Sequence, residues 1–390
     1  MFGRTNSIIL SNKTNNTGAT VTAINKTGAI ITSGSKVWLN ENQQTQGSSY
    51  QIAANISDQY KGVISRSGNF GWVDNYLCSF GSDTSTKVSS LTANAACVKY
   101  GEDGSTFIMN NYTTCRIDEN AQYTIKYRYM RGNYFINNVQ KVVRVNTSDG
   151  SVIEELGGNI NGSYVMIFVI NDVFYQAAKS ANKYIYNGTS YDQLSINITN
   201  GENFYPVDVT SDNRYVIGGT GAYFSNASNN CLRILEVIDE DNLKILTQSE
   251  MPAELQEFYS TPCNIVFNPY TSILTVTGYR TSSYAVMKYE NGTWTPISVD
   301  LELGDLVVFG SLTLSDDLTK ACYTTYDEGV TSTARSMIAN LTSTSGYAAV
   351  PYRFYNMNEN TITGYAGNDT EPDREVIVGV GSVPSVNNGG

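Results

Sequence analysis

The feature that most constrains this chain is a tight Asn-rich turn, repeated between short apolar runs. Residues 106–109 meet 112–117 across Asn110-Asn111, 133–136 meet 139–145 across Asn137-Asn138, and 165–170 meet 173–177 across Asn171-Asp172. Residues 70–73 meet 76–80 across Asp74-Asn75, and 284–289 meet 294–299 across Glu290-Asn291-Gly292. The favoured two-residue hairpin turn needs positive φ at both central positions, which Gly adopts freely and Asn tolerates. A chain punctuated this often has no room for long helices and must fold as antiparallel hairpins.

A second device recurs in the C-terminal half. Val207-Asp208-Val209 runs through Thr210-Ser211-Asp212-Asn213 into Tyr215-Val216-Ile217, and Leu312-Thr313-Leu314 runs through Ser315-Asp316-Asp317 into Ala321-Cys322-Tyr323. Between them, residues 261–301 parse into four strands, 264–267, 274–277, 284–289 and 294–299. Four antiparallel strands in about 40 residues match one β-propeller blade, and the units recur at offsets of roughly 45 to 60 residues.

Composition agrees: 28 Tyr, 13 Phe and 33 Gly stand among 390 residues of which only 16% are charged, a β-favouring balance. The expected fold is all-β, a single propeller of about seven four-stranded blades over residues 21–351. An N-terminal arm is expected at 1–20 and a C-terminal hairpin and flexible tail at 352–390. Residues 18–39 would complete the last blade, because ring closure removes exposed sheet edges, and 43–49 reads as a polar loop. Two β-sandwich domains dividing near Asn200 are the alternative.

The formal charge of −11 and the lack of a Lys/Arg cluster argue against a nucleic-acid partner. The chain has no histidine, which removes the commonest general base and every Ser-His-Asp arrangement. Six cysteines, Cys78, Cys97, Cys115, Cys231, Cys263 and Cys322, include no C-x-x-C pair. Cys231, Cys263 and Cys322 lie in or beside apolar strands and read as small hydrophobes. No apolar signal-peptide core and no long apolar run occur, so neither secretion by that route nor membrane insertion is expected. The N-x-S/T sequons read as chance products of an Asn- and Thr-rich composition.

Three resemblances follow from local motifs. The turns at Ser211-Asp212 and Ser315-Asp316 resemble the inner-strand turn of WD40-like propellers, without the Gly-His and Trp-Asp signatures. Residues 361–382, TITGYAGNDTEPDREVIVGVGS, resemble the terminal T-G-x-A … G-E-x-V-x-V hairpin of bacteriophage virion proteins, with Arg374 in place of the glycine before the acidic residue. Tyr289-Glu290-Asn291-Gly292-Thr293-Trp294 is similar to the Asp-box turn of sialidases, but the Ser and Asp of that box are missing, and it reads as a hairpin over a buried Trp294.

Candidate chemistry is sparse. Paired acids at Glu154-Glu155, Asp239-Glu240-Asp241, Asp316-Asp317 and Asp327-Glu328 would suit glycan hydrolysis if two carboxylates faced one sugar, but adjacent strand residues point to opposite faces. Asp239, Asp241 and Asn242 gather oxygens that calcium would accept, without the Gly and distal Glu of an EF-hand loop. The glycine pairs Gly157-Gly158 and Gly218-Gly219 read as turn and bulge positions. Alternation from 123 to 129 puts Tyr123, Tyr127 and Tyr129 on one strand face, either as a binding surface for glycan or protein or as core. No catalytic residue and no required cofactor emerge. The expected function is a non-enzymatic structural component of a phage particle at the capsid, portal or tail. It would be assembled in the host cytoplasm, reside in the virion in several copies, and act through other virion proteins. A host-glycan adhesin is the alternative, and a carboxylate-based glycan hydrolase the third reading.

Overall fold

The structure is a computed structural model. It describes residues 62–341 except 74–75, 82–84, 91–96, 111, 119–121, 222–228, 280, 302–305, 309–311 and 328–329. Outside that span it describes strands at 8–9, 20–22, 30–32, 36–39, 43–54, 342–344, 348–357, 361–367 and 372–379. Most of the expected arm at 1–20, and the tail beyond 379, therefore lie outside the described residues.

The chain forms two compact units, one from Met1–Thr45, Ile297–Asp300 and Thr342–Gly390, the other from Gln46–Pro296 and Leu301–Leu341. In the first, five strands line up in the order Ile8–Ile9, Lys36–Leu39, Ala348–Met357, Thr361–Gly367 and Pro372–Gly379. The last two form the hairpin expected from the sequence, pairing Thr361 with Gly379 and Ala366 with Arg374.

The second unit is a β-propeller built of consecutive four-stranded meanders. The first runs through Gly62–Ile64, Phe70–Val73, Tyr76–Phe80 and Ser85–Ser90, the second through Cys97–Tyr100, Thr106–Met109, Thr114–Arg116 and Thr124–Ile125. The third comprises Arg128–Arg131, Tyr134–Ile136, Val142–Val145 and Val152–Glu155, the fourth Ile167–Ile170, Val173–Ala177, Ala181–Tyr186 and Tyr191–Thr199. The fifth comprises Tyr205–Val209, Tyr215–Gly219, Leu232–Asp239 and Asn242–Ile245, the sixth Cys263–Asn268, Ile273–Gly278, Tyr284–Glu290 and Thr293–Pro296. A further sheet sets Lys320–Asp327 between Thr313–Leu314 and Val330–Thr344, with Gln43–Ala54 beside the latter. The strand in that closing position is thus Gln43–Ala54, downstream of the 18–39 stretch expected there, and 43–49 is strand rather than polar loop.

Burial grades from the first strand of each meander to the last. Cys97–Tyr100, Ile167–Ile170 and Cys263–Asn268 are buried throughout, whereas Val152–Glu155 is exposed throughout. Inner strands enclosed on both faces need continuous apolar runs, while outer strands meet water. The inner strands of the second, fifth and sixth meanders pack against one another, sharing a core of Cys97, Val207, Cys263, Ile265 and Phe267.

Hydrogen bonds tie each sheet to the next. Arg66 N donates to Thr106 Oγ1 at 3.0 Å, Tyr129 N to Thr114 Oγ1 at 2.9 Å, and Arg128 Nη1 to Tyr164 O at 3.0 Å. The fourth and fifth meanders join edge to edge, with Asn197, Ile198 and Thr199 running parallel to Asn242, Leu243 and Lys244. Asn200 Nδ2 also donates to Ile245 O at 3.1 Å, so the site of the alternative domain boundary is an interior joint. Cys263 N donates to Asn230 O at 2.7 Å and Thr275 Oγ1 to Leu312 O at 2.7 Å. Ile64 N donates to Thr313 Oγ1 at 3.0 Å and Asp316 N to Arg66 O at 2.8 Å, which returns the series to the first meander.

Three of the turns leading out of inner strands share one five-residue design. In Thr210–Arg214 and Ser315–Thr319, the first hydroxyl donates to the third residue's carboxylate, Asp212 Oδ1 or Asp317 Oδ1, at 2.7 Å. The fifth residue's amide reaches the same oxygen at 3.1 and 3.0 Å. The amide after the turn comes back to the first hydroxyl, Tyr215 N at 2.9 Å and Lys320 N at 3.0 Å. The fourth residue has positive φ, 60° at Asn213 and 58° at Leu318. Ser65–Asn69 repeats the scheme with Ser67 as the acceptor and Gly68 at φ 74°. The structural equivalents are therefore Thr210 with Ser315 and Asp212 with Asp317, one place away from the Ser211/Ser315 match expected from sequence.

Of the Asn-rich hairpins, Asn171-Asp172 and Asn291-Gly292 have positive φ at both residues, 48° and 63°, then 51° and 80°. The Asn137 turn is wider than two residues, because Asn137 N bonds Lys141 O and Gln140, at φ 60°, takes the left-handed place. Trp294 is half-buried rather than buried, 4.8 Å from the Tyr289 ring and 6.2 Å from Phe267.

Burial works against ionisation of Asp212, but hydrogen bonds from Tyr289, Thr210 and the Arg214 amide outweigh it and hold the carboxyl below its usual range. Asp317 behaves likewise: burial opposes, and the Thr319 amide with the Ser315 and Thr319 hydroxyls prevails. A carboxyl depressed in the fold contributes stability above its unfolded pKa of about 4 and loses it as pH falls through the folded value. Asp212→Ala and Asp317→Ala should each cost about 1 kcal/mol at neutral pH. Urea unfolding in steps below about pH 4 should show that difference from the parent chain shrinking.

Candidate functional site

The inner-strand turns of the second and third meanders frame an open depression of about 450 Å³ lined by Glu102, Asp103, Gly132, Asn133 and Thr147. Asp103 and Thr147 are already engaged. Thr147 Oγ1 donates to Asp103 Oδ2 at 3.0 Å, Arg116 Nη1 lies 3.5 Å from the same oxygen, and Tyr123 OH donates to Thr147 O at 2.9 Å. Asp103 Oδ1 accepts from both the amide and the hydroxyl of Ser105. Burial raises the Asp103 carboxyl, yet the Ser105 and Thr147 donors and the Arg116 charge bring it below its usual range. A carboxylate held ionised by this many donors is a poor proton donor.

Arg66 anchors another part of the turn network. Its Nε is 2.8 Å from Asp316 Oδ2, its Nη1 donates to Gly101 O, and its guanidinium lies 4.7 Å from the Tyr270 ring centre. Asn268 Nδ2 donates to the other Asp316 oxygen at 2.8 Å. Further round, Arg131 Nη1 donates to Asn213 Oδ1 and Asn213 Nδ2 to Asn171 Oδ1, both at 3.0 Å.

The most unusual chemistry is buried. Lys99, on the inner strand Cys97–Tyr100, donates from Nζ to Met130 O and lies 3.6 Å from Asp208 Oδ2 on the inner strand Tyr205–Val209. Nζ is 5.3 Å from the Tyr129 ring centre, and Asp208 Oδ1 accepts from Val209 N at 2.8 Å. Burial lowers the Lys99 ammonium, with Asp208 opposing, and burial raises the Asp208 carboxyl, with Lys99 opposing. Sequence reasoning passed over this pair. Its one local signal is a charge inside an apolar run, at Val98-Lys99-Tyr100 and at Val207-Asp208-Val209.

The tyrosines singled out from sequence are not brought together on a surface. Thr124–Ile125 and Arg128–Arg131 are separate strands, so the 123–129 alternation is broken at Lys126 and Tyr127. Tyr129 is 1% exposed against Phe107 and Phe135, and Tyr123 and Tyr127 pack half-buried on the same core. At the calcium candidates, Asp239 Oδ1 accepts from Asp241 N and Asn242 Nδ2, while Asp241 lies 2.7 Å from Lys183 Nζ. Protein donors thus engage the carboxylates of Asp239 and Asp241, and among the described residues no cluster of metal-ligating side chains forms.

Of the paired acids, two further pairs are likewise spoken for. Glu154 pairs with Arg144 and Glu155 with Lys141. Asp316 meets Arg66 while Asp317 caps its own turn. Glu328 lies outside the described residues. No helix among the described residues is long and apolar enough to cross a membrane.

No family model and no curated protein matches the chain. Among solved structures it is similar to a catalytically inactive virginiamycin B lyase from Staphylococcus aureus with quinupristin, at 11% identity and TM-score 0.43, over 75% of this chain and 99% of that one. It is also similar to a chain of the Mitotic Checkpoint Complex, at 10% identity and TM-score 0.42, over 75% and 93% respectively.

Removing one partner of a buried ion pair strands the other charge and costs about 3–5 kcal/mol, whereas exchanging both for apolar groups is often neutral. Asp208→Asn should therefore lower the stability of the chain by about 3 kcal/mol, and Lys99→Met combined with Asp208→Leu should recover most of it. Chemical denaturation of the two variants beside the parent measures the coupling.

Proposed function

We propose that this chain is a non-enzymatic structural component of a bacteriophage particle, built on a seven-bladed propeller. It acts in several copies, through contacts with other virion proteins at the capsid, portal or tail. The observation that carries the reading is the sheet built from both chain ends, which terminates in the hairpin Thr361–Gly367 and Pro372–Gly379. That hairpin is the segment resembling virion proteins, and among the described residues its last strand is the edge of its sheet. An edge strand offers a row of unpaired backbone donors and acceptors, suited to strand addition by a partner. The engagement of the acid pairs in ion pairs and turn caps adds support, since those groups are committed to holding the fold.

The test is a particle inventory. Particles purified from a host expressing the full chain should contain it by mass spectrometry in a fixed ratio to the major capsid protein. A variant lacking 361–379 should be depleted at least tenfold, on the order of a 1.4 kcal/mol loss of attachment, while keeping the thermal midpoint of the parent's propeller. Particles devoid of the full chain would refute the proposal.

A further inference from the structure

We propose that Cys231 and Cys263 are a reactive thiol pair that small disulfides such as oxidised glutathione convert into a covalent bridge between the fifth and sixth meanders. Cys231 immediately precedes the strand Leu232–Asp239, and Cys263 opens the inner strand Cys263–Asn268. The two backbones are already joined, since Cys263 N donates to Asn230 O at 2.7 Å and Asn230 Nδ2 donates to Cys263 O at 3.3 Å. With standard bond lengths, the first of these contacts holds the two Cα atoms within about 7 Å, at the upper edge of what a disulfide spans. Backbone and side chain of Asn230 thus hold the start of the strand Cys263–Asn268 against the residue that precedes Cys231.

Exposure distinguishes this pair from the other cysteines. Cys231 is partly exposed, whereas Cys78, Cys97, Cys115, Cys263 and Cys322 are buried. A small oxidant therefore meets Cys231 first. The Cys231 thiolate attacks one sulfur of glutathione disulfide, forming a mixed disulfide and releasing one glutathione thiolate. The Cys263 thiolate then attacks the Cys231 sulfur, the mixed bond breaks, and a second glutathione leaves. Two protein thiols are oxidised, one glutathione disulfide is reduced, and the two protons pass to the departing glutathione thiolates.

The second step depends on deprotonating a buried thiol. Burial pushes Cys263 up, Cys231 adds to this, and the Arg233 guanidinium opposes it. Arg233 is itself held by Glu202 at 2.5 Å and stacked 3.8 Å from the Tyr259 ring centre. Closure should accordingly accelerate as pH rises, while the mixed disulfide accumulates at lower pH.

The experiment treats the folded full-length protein with oxidised glutathione at mildly alkaline pH, blocks remaining thiols by alkylation, and maps tryptic peptides. The expected map joins the peptide carrying Cys231 to the one carrying Cys263, with loss of two of the six free thiols. The thermal midpoint should shift upward and return on reduction. Cys231→Ser should abolish both changes, and Cys322→Ser should leave them intact. Glutathione persisting on Cys231 across the pH range, six thiols remaining free, or a bridge between another pair would each overturn the proposal. The parent protein's own map decides the question if a variant fails to fold.

Discussion

Closure is the constraint on which the propeller depends. Each meander buries apolar faces that it cannot cover alone, so every sheet needs a neighbour on both sides and the series must return to its start. The return is made where Arg66 and Asp316 occupy the second position of two equivalent turns. There the Asp316 amide donates to Arg66 O at 2.8 Å while the two side chains form an ion pair at 2.8 Å. Ile64 N reaching Thr313 Oγ1 at 3.0 Å fixes the same joint one strand deeper. These groups are partly or wholly withdrawn from water, so the bonds are electrostatically stronger than surface contacts and costly to leave unmade.

The turn design explains why one face of the unit is polar yet offers little free chemistry. Thr210, Ser315 and Ser65 each direct a hydroxyl into their own turn, and Asp212 and Asp317 accept from amides two residues on. Side-chain acceptors that satisfy local backbone donors fix the turn without help from the rest of the fold. What remains at the second turn position is free to reach sideways, as Arg66 does to Asp316. That polar face holds the ring together.

Much of this was legible in the sequence. The strand pairs flanking Asn171-Asp172 and Asn291-Gly292 announced themselves because the signal is local: residues that tolerate positive φ stand between apolar runs. The first three strands of the sixth meander could be placed within a residue for the same reason, whereas the fourth, expected over 294–299, ends at Pro296 and Ser298–Asp300 pairs with Gln43–Thr45 instead. The register between turns was harder, since Ser211-Asp212 and Ser315-Asp316 look alike as letters while the hydrogen bonds equate Thr210 with Ser315. Spacing to the next strand, not the dipeptide, decides the match. The strand Gln43–Ala54 was misread as partly loop, because its first half, Gln43-Gln44-Thr45-Gln46-Gly47-Ser48-Ser49, carries no apolar alternation. Tertiary pairing beside Val330–Thr344 supplies what local propensity lacks. Tyr129 illustrates the opposite limit, since alternation can align side chains on a strand but cannot say whether that face meets water or Phe107 and Phe135.

Lys99 and Asp208 were invisible as a pair because nothing local links them. Their meeting is a product of the ring, which brings the inner strands of the second and fifth meanders side by side. A buried ion pair offers little net stability over apolar residues of similar size, so its presence in the core calls for another explanation. Consider an arrangement with the inner strands displaced by one residue. Side chains would switch faces, Lys99 would lose both Asp208 and the Met130 carbonyl, and an ammonium would be left among Tyr129 and its neighbours without a counter-charge. The apolar residues around it, Val98, Val207 and Val209, would tolerate such a slip far better than the charges do. The pair therefore acts chiefly against wrong registers. A core whose inner strands are otherwise largely apolar gains from it a penalty on every way of closing but one.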